Sequence, residues 1–257
     1  MDELVYKIEK IVKQCGSKML QANQEDLGIE NKEGIGNIVT KYDKEIQNML
    51  KDELLNLLPD ASFIGEEEDL HSQILMKGYT FIVDPIDGTT NFARGLSASA
   101  VSVGLLKDGE QYISVCYNPY LNEMFTAEKG KGAYLNDKPI KVSNKILKEG
   151  IVLTGSAPYY EDLRKQTFKV MQNFIGIATD FRRFASAVMD LCNIACGRSE
   201  AYFEVILQPW DYAAGALIVE EAGGKVTQIN GEKITFDKPC SILASNNKED
   251  YFKYTKI

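Results

Sequence analysis

Tyr79-Thr-Phe-Ile-Val-Asp84-Pro-Ile-Asp87-Gly88-Thr89-Thr90-Asn91-Phe92 runs an apolar strand straight into two acids, a proline and a glycine. Residues i and i+3 of a straight strand face opposite sides, so Asp84 and Asp87 converge only if the chain turns after Val83. Pro85 and Gly88 suit such a turn. Gly88-Thr89-Thr90 then has the composition of a helix N-terminus, whose free N–H groups favour an anion such as phosphate. Two hard oxygen ligands beside an anion cradle are the parts of a Mg²⁺ phosphoryl-transfer site. An EF-hand loop fails on its acid offsets, on Pro at the second position and on Gly95 where Glu is required. Taken alone, the stretch also fits a turn whose acids merely cap the next helix.

The rest of the composition narrows the chemistry. Among 257 residues, 37 Asp+Glu face 29 Lys+Arg, a formal charge of −8 that offers no general attraction for nucleic acid or an anionic membrane. His71 is the single histidine, so multi-His zinc sites are excluded and any acid–base work falls to carboxylates. No apolar run approaches the roughly 18 residues of a membrane span. The N-terminus lacks a signal-peptide core, and five scattered cysteines without C-x-x-C indicate buried thiols in a reducing cytoplasm. Cys192 and Cys196, four apart on an expected helix, read as packing residues.

Outward from the opening stretch, helical spacing covers Leu4–Leu20 and Tyr42–Leu58, with 30–43 reading as a long loop. Short β-type runs follow at Ser62–Gly65, Tyr79–Val83, Ala98–Leu106, Tyr112–Tyr117 and Met124–Ala127, forming an antiparallel meander. After about residue 150, strands at Ile151–Thr154, Ala201–Val205 and Ser241–Ala244 alternate with helices at Tyr160–Phe174, Ser186–Gly197 and Asp211–Ala222. The expectation is an α+β lobe, 1–150, sharing one interface with an α/β lobe, 151–257.

Further acids stand at element boundaries: Glu66, Glu67 and Glu68 after an apolar strand, Asp211 in Trp210-Asp211-Tyr212-Ala213-Ala214-Gly215, and Asp43 between loop and helix. Each taken singly reads as a solvated charge or a helix cap. Together, G-E-E, D-P-I-D-G-T-T-N-F and W-D-x-A-A-G, in this order and spacing, resemble the inositol monophosphatase family of Mg²⁺-dependent, lithium-sensitive sugar phosphatases. The resemblance covers essentially the whole chain and implies a layered αβαβα sandwich and commonly a homodimer.

The resemblance also assigns roles. Glu66, Asp84 and the carbonyl of Ile86 would hold one Mg²⁺, and Asp84, Asp87 and Asp211 a second. A weaker third would lie near Glu66, approached by Asp43 through water. Thr89 and Asp43 would hold and deprotonate the water that attacks phosphorus in line, and the Gly88 and Thr89 N–H groups would hold the phosphate. Glu67 would lie behind the ligands, and Lys32 would screen charge near the metals. Glu204, in Ala201-Tyr-Phe-Glu204, matches a glutamate that accepts hydrogen bonds from ring hydroxyls. Phe181-Arg182-Arg183-Phe184-Ala185-Ser186-Ala187-Val188 resembles R-x-x-G-[ST]-A-A, with Ala187 at the sugar and Ala185 and Val188 departing from Gly and Ala. Arg182 and Arg183 are candidates for a second phosphate. The expected activity is hydrolysis of inositol monophosphate. The alternatives are fructose-1,6-bisphosphatase or NADP(H) phosphatase activity, or a non-catalytic regulatory protein on the same fold.

Overall fold

The computed structural model describes residues 2–32, 37–67, 77–157 and 160–256. His71 and Glu68 lie outside them. Helix α1, Glu3–Leu20, begins where the Asp2 carboxylate accepts from the Leu4 N–H, and its Val5, Ile8, Val12, Cys15 and Met19 stripe is buried. The stretch read as a loop pairs with itself instead: β1, Glu30–Asn31, runs antiparallel to β2, Ile38–Val39. Helix α2, Lys41–Leu57, starts with a reciprocal cap in which the Thr40 N–H donates to Asp43 Oδ2 at 2.7 Å.

Strands β3, Ser62–Gly65, and β4, Tyr79–Asp87, follow, then the short helix α3, Thr89–Ala93. Strands β5, Ala100–Lys107, β6, Glu110–Asn118, β7, Glu123–Glu128, β8, Gly132–Leu135, and β9, Lys138–Pro139, complete a seven-stranded sheet in chain order. It is antiparallel throughout except at its edge, where β3 joins β4 in parallel. Helices α1 and α2 cover one face.

In the second half, β10, Ile151–Thr154, leads to α4, Glu161–Phe174, β11, Asp180–Arg182, and α5, Ala187–Ala195. Strand β12, Ala201–Leu207, helix α6, Pro209–Glu221, and strands β13, Lys225–Thr227, and β14, Cys240–Ser245, follow. The five-stranded sheet has the order β11-β10-β12-β14-β13, with β11, β10 and β12 parallel and the other pairings antiparallel. Helix α6 is apolar nearly all round, as a helix buried on every side must be, and with α5 it fills the space between the two sheets. Close contact is permitted by absent side chains: a Cβ on Gly215 would stand 2.6 Å from Leu191, and one on Gly104 would stand 3.2 Å from Ala213. Helix α4 packs on the outer face of the smaller sheet, where Phe174 stacks on Phe203 at 5.4 Å. The layers are therefore αβαβα. Among the described residues no helix is long and apolar enough to cross a membrane, and four of the five free thiols are buried.

Candidate active site

The two acids of the opening stretch do converge, but no turn after Val83 is needed. Strand β4 continues through Asp87 with a bulge: Asp84 pairs with Ser102 and Asp87 with Ala100, so Pro85 and Ile86 together stand opposite Val101. The extra residue flips the alternation and puts both carboxylates on one face. Asp211, in the first turn of α6, meets them there. One carboxylate oxygen from each of Asp84, Asp87 and Asp211 lies within 4.8 Å of the others.

Each acid is anchored by neighbouring donors. Asp84 Oδ1 accepts from the Ile86 N–H at 3.0 Å, and Asp211 Oδ2 from the Gln208 N–H at 2.7 Å. Asp87 sits at the start of α5, where it accepts from the Ser186 hydroxyl and from the Ala187 and Val188 N–H groups at 3.2 and 2.8 Å. Against that support stands burial, which pushes Asp87 up to about 6. Burial first, then the neighbouring carboxylates, hold Asp84 and Asp211 well above the ordinary range. Buried, mutually repelling, hard oxygen donors fit a divalent cation such as Mg²⁺, whose charge would reverse that crowding.

Glu66 lines the same cleft but stands outside the three-acid cluster. Lys32 Nζ donates to Glu66 Oε1 at 2.8 Å and also contacts Glu67 Oε1. Burial draws the Lys32 ammonium down, but the Glu66 and Glu67 carboxylates outweigh it and the net shift is upward. Glu67 is further tied by its N–H to Gln47 at 2.8 Å.

Asp43 faces the first residue of α3. Thr89 Oγ1 lies 3.0 Å from Asp43 Oδ1 and 3.1 Å from the Ile86 carbonyl, while Thr40 donates to the other Asp43 oxygen. Burial raises the Asp43 carboxyl above its ordinary value. Gly88 adopts φ 86°, and a Cβ there would meet Ala98 O at 2.9 Å and Ala185 O at 3.1 Å, so the start of α3 requires glycine.

The cleft, of about 650 Å³, extends from these acids to a second wall carrying Gly155, Arg183, Ala187 and Glu204. Glu204 Oε2 accepts from the Tyr202 hydroxyl at 2.7 Å, and burial pushes Glu204 up to about 7. Arg183 is exposed on this wall, whereas Arg182 is not among the lining residues. Its guanidinium pairs at 2.6 Å with Asp180, which is two residues earlier on the same face of the outer strand β11. Ala185, where the motif departs from glycine, holds φ 59°, a left-handed backbone that the missing glycine would adopt freely. Asn91 Nδ2 pins this segment through the Phe184 and Ala98 carbonyls at 2.6 and 2.7 Å.

Sequence reasoning missed Ser186 as the partner of Asp87, Gly155, and Asp190. For Asp190 a signal existed: it is the one charged residue in the apolar run Ala187-Val-Met-Asp-Leu-Cys-Asn-Ile-Ala195.

Residues 1–256 match the family model described as the inositol monophosphatase family. An inositol-1-monophosphatase of Bacillus subtilis is 33% identical over 241 residues, spanning 93% of this chain and 90% of the relative. A protein of Pasteurella multocida named Nus factor SuhB is 41% identical over 198 residues, or 75% of this chain and 72% of that one. The solved structure of a Thermotoga maritima IMPase superposes with a TM-score of 0.87 at 32% identity, covering 99% of this chain and 97% of the other.

Proposed function

The chain belongs to the inositol monophosphatase family, and on that premise we propose that it is a Mg²⁺-dependent phosphomonoesterase that hydrolyses the monophosphate of a polyol such as inositol. The observation that carries this reading is the meeting of Asp84, Asp87 and Asp211 within 4.8 Å, beside the Thr89–Asp43 contact and the open start of α3. Asp84, Asp87 and Asp211 would hold one Mg²⁺, and Glu66 with Asp84 and the Ile86 carbonyl another. Bound Mg²⁺ supplies a nucleophile from water near neutral pH and offsets the charge of the phosphate dianion.

The protein's own groups do the rest. Thr89 Oγ1 would take a proton from the attacking water as it passes its own to Asp43 Oδ1, which the Thr40 donors keep in place. The Gly88 and Thr89 N–H groups, at the start of α3, would hold the equatorial phosphate oxygens where charge gathers. Glu204, fixed by Tyr202, would orient the leaving alcohol. No phosphoenzyme is required.

Fructose 1,6-bisphosphate or NADP⁺ remains the second substrate reading, favoured by the exposed Arg183 on the cleft wall. The name of the Pasteurella relative suggests a non-catalytic role as a third, and such a role would not need the Thr89–Asp43 contact. Phosphate release by the purified chain, measured in parallel on inositol 1-phosphate, fructose 1,6-bisphosphate and NADP⁺, tests all three. Mg²⁺-dependent release, abolished by Asp84→Asn, is expected. Absence of Mg²⁺-dependent release from every substrate would overturn the assignment.

A further inference from the structure

Asp190 lies one helical turn from the start of α5, on the cleft, with 1% of its surface exposed. Six buried side-chain polar atoms among the described residues lack a hydrogen-bond partner, and Asp190 Oδ1 is the only carboxylate oxygen among them. A buried carboxyl oxygen without a donor is costly inside a protein, whether or not the group is ionised. Bulk water does not reach this oxygen, so a donor that satisfies it must arrive from within the cleft.

Its surroundings indicate what kind of donor. Glu204 is close enough for its charge to act on Asp190, and the exposed Arg183 acts on both as the opposing cation. Glu204 already receives the Tyr202 hydroxyl on one oxygen, and Gly155 makes room for its carboxylate: a Cβ at Gly155 would stand 1.8 Å from it. The wall therefore presents two acceptors against one guanidinium at the rim. Hydroxyl groups bring donors to both acceptors. A second phosphate brings only acceptors and negative charge.

We propose that Asp190 is a specificity-determining residue of the leaving-group pocket, receiving a substrate hydroxyl alongside Glu204 and so selecting a neutral polyhydroxy alcohol over one bearing a second phosphate. The proposal rests on the phosphomonoesterase reading and names the class of alcohol for that same site. It makes Asp190, with no role in the reaction chemistry, a determinant of KM.

The test uses the full chain with Mg²⁺ and three substrates: inositol 1-phosphate, fructose 1,6-bisphosphate and phenyl phosphate, whose leaving group has no hydroxyl beyond the ester oxygen. In Asp190→Ala the ratio of kcat/KM for inositol 1-phosphate to that for phenyl phosphate is expected to fall about five- to tenfold, mostly through KM, as one buried hydrogen bond is lost. Asp190→Asn, which keeps the shape and one acceptor, should recover part of the ratio and serves if the alanine variant fails to fold. Wild type should prefer inositol 1-phosphate to fructose 1,6-bisphosphate, and Asp190→Ala should narrow that preference. An unchanged ratio in folded variants, as a trapped water satisfying Asp190 would give, overturns the proposal while leaving the phosphatase reading intact. Wild-type protein inactive on all three substrates, phenyl phosphate included, would refute the phosphatase reading and this proposal with it.

Discussion

Replacing Asp87 by Asn should make the metal-free protein more stable at pH 7, although it removes a buried group holding three hydrogen bonds. In the metal-free fold Asp87 has been pushed from 3.8 up to about 6. At 1.36 kcal/mol per pH unit, keeping it ionised at pH 7 costs about 3 kcal/mol. Asparagine carries no charge but offers one acceptor oxygen where Ser186, Ala187 and Val188 now find two. Leaving one of those buried donors without an acceptor costs about 1–3 kcal/mol. The net gain is up to about 2 kcal/mol, or several °C in Tm for a chain of this size. Mg²⁺ should reverse the order. At one hundred times its Kd the ion would add about 2.7 kcal/mol to the wild type, and the variant would lack one of the proposed ligands.

The pH dependence follows the same sign. Because the folded-state pKa lies above the unfolded value, the contribution of Asp87 is fully present below about pH 4 and is lost as pH rises through about 6. Metal-free wild type should thus lose stability as pH rises across that window, and the advantage of Asp87→Asn should shrink as pH falls and reverse towards pH 4. Thermal unfolding followed by circular dichroism, in EDTA and in Mg²⁺ at pH 4, 5.5 and 7, reads all of this. An asparagine variant less stable than wild type in EDTA at pH 7 would show that the α5 donors outweigh burial, and the account of a crowded site awaiting a cation would be wrong.

Two further perturbations test local geometry. Ala185→Gly should relieve the left-handed backbone at φ 59° and stabilise the protein by about 1 kcal/mol, seen as a higher Tm. Gly155→Ala should place a methyl where the Glu204 carboxylate now lies, displacing it and raising KM for inositol 1-phosphate about tenfold with kcat less affected, as measured by phosphate release.

The features that could be read from the chain were those fixed by local chemistry. Asp84, Asp87 and Gly88 announce themselves by residue type, and the amphipathic stripes of α1 and α2 by spacing. The bulge at Pro85-Ile86 could not be read, because its register is set by the partner strand β5, not by the residues that bulge. Strands β11 and β13 are three residues long, too short for alternation to show, and they exist because neighbours pair with them. Helix α6 has no polar face to mark its orientation, so only tertiary packing reveals that it lies between two sheets. Arg182 and Arg183 look equivalent in sequence, and only the folded chain separates the one paired with Asp180 from the one on the cleft.

The positions of the acids explain how so costly a cluster is held together. Asp84 and Asp87 stand on the large sheet, yet the donors that hold Asp87 come from α5, about one hundred residues away, and Asp211 comes from α6. Both helices are buried between the sheets, where Val188, Leu191, Tyr212 and Leu217 join the core formed with Ile82 and Phe125. Hydrophobic packing between the layers thus forces the carboxylates together, and the backbone donors of Ile86, Gln208, Ala187 and Val188 return part of the electrostatic cost. The repulsion left over acts across the interface of β4 with α5 and α6. A cation at Asp84, Asp87 and Asp211 would draw those same elements together, so ion binding should protect the amides of α5 and α6 from hydrogen exchange more than those of the distant α4.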